Sequence, residues 1–264
     1  MGYQHQVGQI GVNLRDKVVV ITGSGGGIGA AFARRFTAEG AKVVVTDIDS
    51  AGVERVSGEI GSVGLPGDIT APETVSAVAD LARRTYGEID IWFSNAGYAG
   101  PRQPGEIQHD DVWDLSWQLH VMAHVYAARE VLPAMLERGD GYLLQTASVV
   151  ALATQPDKAA YSVTKHAALA LAEWLASNYG AKGIKVSCFC PGPMLTPMLL
   201  SNDFPADHPV LKTAATPEQV ADRLVRAIEE ERFLILDSDL GLNSLHAKAS
   251  DYEQWITAMH APTH

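Results

Sequence analysis

Short apolar runs recur along the chain, separated by longer stretches in which apolar residues return every three or four positions. Residues 17–22, 41–47, 89–95, 142–148, 184–190 and 233–237 read as strands, and a weaker run, 63–67, falls between the second and third. The runs are continuously apolar rather than alternating, as expected of strands buried on both faces. Between them Ile28, Phe32 and Phe36 lie four apart, as do Val75 and Ala79, while Leu171, Trp174 and Leu175 share one helical face. Thr70-Ala-Pro-Glu73 and Thr216-Pro-Glu-Gln219 both read as capping boxes with proline in the first turn. Strand–helix alternation of this kind predicts an α/β fold: one doubly wound parallel sheet of the Rossmann type with helices on both faces. Gly-Pro-rich stretches at 97–105 and 191–197 interrupt the alternation without ending it. One domain is therefore expected over residues 14–239, with an N-terminal extension (1–13) and a C-terminal extension (240–264). In the latter, Leu242, Leu245, Trp255 and Met259 suit an amphipathic helix that packs on the core or on another subunit.

Composition narrows the function classes. Of 264 residues 47% are apolar and 19% charged, which provides for a core and excludes a disordered chain. The net charge of −11, from 31 acidic against 20 basic side chains, argues against nucleic acid as the main partner. No apolar run reaches the ~20 residues of a membrane span. The first thirteen residues have neither a basic start nor an apolar stretch, so no secretory signal is expected and a cytoplasmic location is. The two cysteines, Cys188 and Cys190, share one face of a strand, roughly 6–7 Å apart at the usual rise per residue. They read as buried core thiols without a disulfide, and no metal site is expected.

Two constellations carry chemistry. The first strand runs into Gly23-Ser-Gly-Gly-Gly-Ile-Gly29 and then a helix. Glycines there allow a sharp turn and close approach to a pyrophosphate, whose charge the helix N-terminus favours. Gly23, Ser24, Gly27, Ile28 and Gly29 are the expected contacts. Eighteen residues beyond Gly29, the second strand ends in Asp47, whose carboxylate suits ribose hydroxyls and repels a 2′-phosphate. No Lys or Arg stands in the glycine loop or directly after Asp47, so NAD is expected rather than NADP. The second constellation is Tyr161-Ser-Val-Thr-Lys165 at the start of a long helix, where four-residue spacing puts phenol and ammonium on one face. A neighbouring lysine favours the phenolate, making Tyr161 a general base for an alcohol or, in reverse, an acid for a ketone. Ser148 ends a strand thirteen residues upstream, at the carboxyl end of the parallel sheet, where ligands sit.

Taken together, Thr22-Gly-Ser-Gly-Gly-Gly-Ile-Gly29, Asp68, Asn95-Ala-Gly97, Ser148, Tyr161/Lys165, Pro191-Gly192 and Thr196 make the chain resemble the short-chain dehydrogenase/reductase family from about Leu14 to Asp237. The resemblance implies that Ser148 positions the substrate oxygen, Tyr161 is the catalytic base, and Lys165 holds the nicotinamide ribose and lowers the tyrosine pKa. It further implies that Asp68 contacts adenine, Asn95 and Gly97 line the cofactor loop, Thr196 binds the carboxamide, and Ile69, Pro191 and Gly192 also meet the cofactor. Family members are commonly tetramers or dimers packed through two long helices, here about 110–138 and 159–180. One position departs from the pattern: His120 stands where the family carries an asparagine that helps hold a water next to the lysine. Proton relay through His120, a tolerated replacement, and a metal held with His124 one turn on all remain open at this level.

Substrate contacts are expected from the loops 98–105, 149–157 and 194–212, with Tyr98, Val150, Met194 and Met198 the named candidates. Their apolar content (Val149, Leu152, Leu195, Leu199, Leu200 and Phe204 besides) suggests a neutral, fairly hydrophobic secondary alcohol or ketone. The expected activity is NAD-dependent hydride transfer. The alternatives are a non-redox epimerase or lyase on the same scaffold, and a catalytically silent dinucleotide-binding module.

Overall fold

The computed structural model describes residues 11–201, 205 and 207–260. Seven parallel strands form one sheet in the order β3-β2-β1-β4-β5-β6-β7: β1 (Val18–Thr22), β2 (Lys42–Thr46), β3 (Val63–Gly64), β4 (Ile91–Ser94), β5 (Gly141–Thr146), β6 (Ile184–Cys190) and β7 (Leu234–Leu236). Every strand expected from the apolar runs is present, most a residue or two shorter. The helices are α1 (Gly27–Ala38), α2 (Ser50–Ile60), α3 (Pro72–Tyr86), α4 (Asp110–Trp117), α5 (Ala123–Arg138), α6 (Ala159–Tyr179), α7 (Pro197–Leu200), α8 (Pro209–Thr213), α9 (Pro217–Glu229), α10 (Leu240–Ser250) and α11 (Tyr252–Met259). Among the described residues no helix is long and apolar enough to cross a membrane.

The sheet is packed on both faces, as its continuous apolar strands require. On one face α1, α2 and α9 bury Phe32, Phe36, Val53, Val56, Leu224 and Ile228 against Ile21, Phe93 and Phe189. On the other, α3, α5 and α6 cover Val20, Trp92, Leu143 and Val186. Strand order reverses at β1, which pairs with both β2 and β4. The chain leaving β1 and the chain leaving β4 therefore diverge, and the crevice between them opens at the carboxyl ends of the strands.

Three local expectations need correction. Thr216 closes a capping box with Gln219, but Thr70 does not cap α3, because its hydroxyl donates 2.8 Å to Asp68 Oδ1 and the N-cap falls on Ala71. The helix expected over 110–138 is divided by a widened π turn, Gln118–Met122, which carries His120 and Val121 into the interior. The Cys188 and Cys190 thiols are free and buried, yet their sulfurs lean to 3.9 Å, closer than the strand rise suggested. The C-terminal extension forms α10 and α11; Leu245 packs on the core, and a Cβ on Gly241 would come within 3.1–3.3 Å of Leu152 and Val149. Residues 261–264, Phe204 and most of the N-terminal extension lie outside the described residues.

Candidate active site

A cavity of about 540 Å³ occupies the crevice at the carboxyl ends of β1 and β4. Gly23, Gly26, Gly27, Ile28 and Gly29 form one wall. Gly23 and Gly27 are left-handed (φ +65 and +53), and a Cβ on Gly23 would stand 2.7 Å from Ala96 Cα, so neither position tolerates a side chain. Nothing lies within 4 Å of where a Gly26 Cβ would be, and α1 begins there with no side-chain cap on its amides. An open cradle ending on uncapped N–H groups is suited to an anion such as a pyrophosphate. Ser24, expected in this wall, is instead fully buried: its hydroxyl donates 2.6 Å to Ile21 O, and it accepts from Thr46 N.

Asp47 flanks the glycine wall. Its Oδ2 accepts from Gly25 N at 3.0 Å and its Oδ1 from Asp49 N at 3.0 Å, which fixes the carboxylate at the cavity edge. Beside it Ile48 is 76% exposed, an apolar side chain rimming the cavity that the sequence reading missed. Asp68 and Ile69 form the facing rim. Arg55, brought in by α2, donates 2.7 Å to Gly25 O and is paired with Glu59. A cation thus does touch the glycine loop, from thirty residues along the chain.

Asn95 braces the strand ends: its Nδ2 donates 3.0 Å to Thr22 O and its Oδ1 accepts from Thr146 Oγ1 at 3.1 Å. Gly97 follows, and a Cβ there would meet Lys165 Nζ at 3.6 Å and His120 Nε2 at 3.9 Å. Lys165 is buried, donates 3.0 Å to Thr146 O, and sits 5.7 Å from the centroid of the Tyr161 ring. Both line the cavity. Burial holds the Lys165 ammonium down at about 8. Burial pushes the Tyr161 phenol above its usual 10, opposed by a hydrogen bond to Ser148. Lys165 is not among the groups that act on the phenol, and its ammonium donates to Thr146 O. Ser148 is buried beside Tyr161, and its Oγ also accepts from Val150 N at 3.1 Å.

His120 lies behind Gly97, fully buried, its ring edge-on to Tyr161 at 5.6 Å. Burial and the Lys165 charge push its pKa well below 6.5, and the same causes hold His124 at about 3. Both imidazoles are therefore neutral. Among the described residues no group of three or more His, Cys, Asp or Glu is assembled as a metal site.

The remaining wall is apolar. Tyr98, Met194 and Met198 line it as expected, together with Leu115 and Leu119, one turn apart on α4 and the π turn, which sequence reasoning missed. Pro191 and Thr196 complete the floor. Gly192 stands back, its N–H donating 2.9 Å to Asp237 Oδ1. Val150 is also absent from the wall, its backbone turned in to Ser148.

Comparison with known proteins agrees with this geometry. Residues 17–204 match the sequence model of the short chain dehydrogenase family. A 1-deoxy-11-beta-hydroxypentalenate dehydrogenase of Streptomyces exfoliatus is 34% identical over 86% of this chain and 85% of its own length. Among solved structures, a 3-ketoacyl-(acyl-carrier-protein) reductase from Brucella melitensis complexed with NADH is 28% identical, with a TM-score of 0.79 over 84% of this chain and 97% of that one. A short chain dehydrogenase/reductase from Burkholderia phymatum in complex with NAD is 26% identical, with a TM-score of 0.80 over 96% and 98%. With the glycine wall, the strand order, and Tyr161 and Lys165 on one cavity with Ser148 beside them, the chain belongs to the short-chain dehydrogenase/reductase family of oxidoreductases.

Proposed function

We propose that the protein is an NAD-dependent dehydrogenase that interconverts a fairly hydrophobic secondary alcohol and its ketone. The observation that carries the reading is a single cavity with an anion cradle and a carboxylate at one end and Tyr161 and Lys165 at the other, with Ser148 buried beside Tyr161 and hydrogen-bonded to it. The residues fit a dinucleotide. Gly26, Gly27 and the first amides of α1 would hold the pyrophosphate, Asp47 the adenosine ribose, Ile48 and Ile69 the adenine, and Lys165 and Thr196 the nicotinamide end. When bound, the nicotinamide supplies the acceptor or donor of the hydride.

The chain's own residues do the rest. Ser148 donates a hydrogen bond to the reacting oxygen and orients it toward the Tyr161 hydroxyl. In alcohol oxidation the Tyr161 phenolate takes the hydroxyl proton, and in ketone reduction the neutral phenol returns it. Lys165 keeps two N–H donors beyond the one on Thr146 O, enough for ribose hydroxyls. Because burial raises the phenol's pKa, the neutral acid prevails at pH 7, so alcohol oxidation rises toward alkaline pH while ketone reduction does not.

Selection of NAD is supported by Asp47, whose charge repels a 2′-phosphate. Arg55 is the one cation at the loop among the described residues, and Gly25 O and Glu59 already engage it. The apolar wall of Leu115, Leu119, Met194 and Met198 supports a bulky alicyclic or aromatic substrate, as does the name of the Streptomyces relative. Trp117, Val163 and Trp174, exposed on α4 and α6, support packing of those helices in a homodimer or homotetramer. A screen of secondary alcohols with NAD and with NADP tests the reading. Reduction of NAD with cyclic or aromatic alcohols is expected; preference for sugar phosphates, or for NADP, overturns it.

A further inference from the structure

The segment from Ala96 to Gln108 leaves β4 and begins in the cavity wall, to which it supplies Ala96, Gly97 and Tyr98. It contains no regular structure over most of its length, yet it is bound to the start of α6 at several points. Two of these are made by buried polar side chains that hydride transfer does not itself require.

Gln108 is 3% exposed. Its Nε2 donates 2.8 Å to Pro101 O, and its Oε1 accepts from Ala160 N at 2.8 Å. A carbonyl can only accept and a peptide N–H can only donate, so this amide has one possible orientation. His120 is constrained in the same way. Its Nε2 accepts from Tyr98 N at 3.0 Å, so the ring proton must sit on Nδ1, which lies 2.8 Å from Thr164 Oγ1. Thr164 in turn donates 2.7 Å to Ala160 O. Both groups of Ala160 that precede or follow its Cα are thus tied: its N–H to Gln108 and its C=O, through Thr164, to His120. Ala160 is the residue immediately before Tyr161. Outside these two ties, Gln103 N donates 2.9 Å to Asp157 O, and Arg102 pairs with Asp157.

We propose that Gln108 and His120 are positioning residues: they lash the substrate loop to the first turn of the catalytic helix, so that the loop wall and the Tyr161 hydroxyl keep one fixed spacing. With both ring nitrogens committed, His120 holds the loop and takes no part in moving protons. Loosening either tie frees Tyr98 relative to Tyr161 and degrades the fit of the substrate while leaving the acid–base pair intact. Small displacements of this kind are costly because reaction depends on near-attack geometry.

The test uses the full-length protein with Gln108→Leu and His120→Phe, the second keeping the ring's edge contact with Tyr161. Hydrogen exchange read by mass spectrometry should rise in residues 96–107 and in the first turn of α6 for both variants, with β1 to β3 unchanged. With an alcohol found by the NAD screen, KM should rise about tenfold. The pH midpoint of kcat should stay where it is in the parent, and NADH binding measured by fluorescence should change little. Unchanged exchange in the loop overturns the proposal. A shifted pH midpoint in His120→Phe overturns it in favour of a proton relay. The kinetic half rests on the dehydrogenase reading, but the exchange half does not, so a protein that oxidises no alcohol still decides whether the loop is lashed. Each variant cuts one of two separate ties, so either alone carries the test if the other does not fold.

Discussion

The two faces of the sheet are built to different rules. Against α1, α2 and α9 the core is mostly apolar, its buried Tyr142 hydroxyl matched by Ser187, with Phe32 at its centre and the rings of Phe36, Phe93 and Phe189 at centroid distances of 5.1–6.4 Å. Against α5 and α6 the interior takes in Lys165, His120, His124 and Gln145 close to the sheet's carboxyl end. The ring nitrogens of His124 and the Oε1 of Gln145 have no partner at good hydrogen-bond geometry beyond their loose pairing with each other. Apolar burial stabilises in proportion to area, whereas burying a polar group costs free energy unless it is matched. The first face therefore secures the fold, and the second gives up stability to hold chemistry.

Substitutions that move activity and stability in opposite ways test this contrast. The largest effect is expected at Tyr161→Phe: removal of the acid–base hydroxyl should lower turnover by about 10²–10⁴-fold, with NAD binding and Tm retained. Equal loss of binding and turnover would mean that Tyr161 serves only to shape the cavity. On the apolar face, Phe36→Ala should cost roughly 3–5 kcal/mol, read as a fall in the denaturant midpoint, while the folded fraction keeps its kcat. A smaller change runs the other way. Folding lowers the Lys165 pKa from 10.5 to about 8, so the charged form is penalised. The penalty, about 3 kcal/mol, is complete below pH 8 and vanishes above 10.5. Lys165→Met should accordingly raise the stability of the cofactor-free protein at pH 7, less the lost bond to Thr146 O, and abolish activity. A lower stability at pH 7 would contradict the assignment of cost to that face. The smallest effect is expected at Asp47→Asn, which keeps an oxygen for one backbone amide and removes the charge: preference for NAD over NADP should shrink about tenfold.

The same contrast explains what the sequence made legible. Strands, helices and the glycine wall follow from local patterns: β-branched runs, four-residue spacing, and turns that only glycine can make. Tyr161, Lys165 and Asp47 were readable because spacing along one element puts them at its functional end. Ser24 was misjudged because its motif letter does not say which way the hydroxyl turns, and buried carbonyl and amide partners drew it inward. Leu115, Leu119, Ile48 and Arg55 went unseen because their places depend on how distant segments pack. Gln108 drew no attention in the sequence, since only the path of the chain brings it to Ala160. The π turn was hidden for the same reason, since its sequence continues a helical pattern.

Every assignment above turns on the proposed transfer of a hydride from an alcohol to NAD in this cavity. The most direct measurement is the stoichiometry of a single reaction, with NADH followed by its absorbance and the organic product by mass. One NADH and one ketone per alcohol consumed is the predicted result. Product formed with no net NADH, as an epimerase or lyase on this scaffold would give, would contradict it.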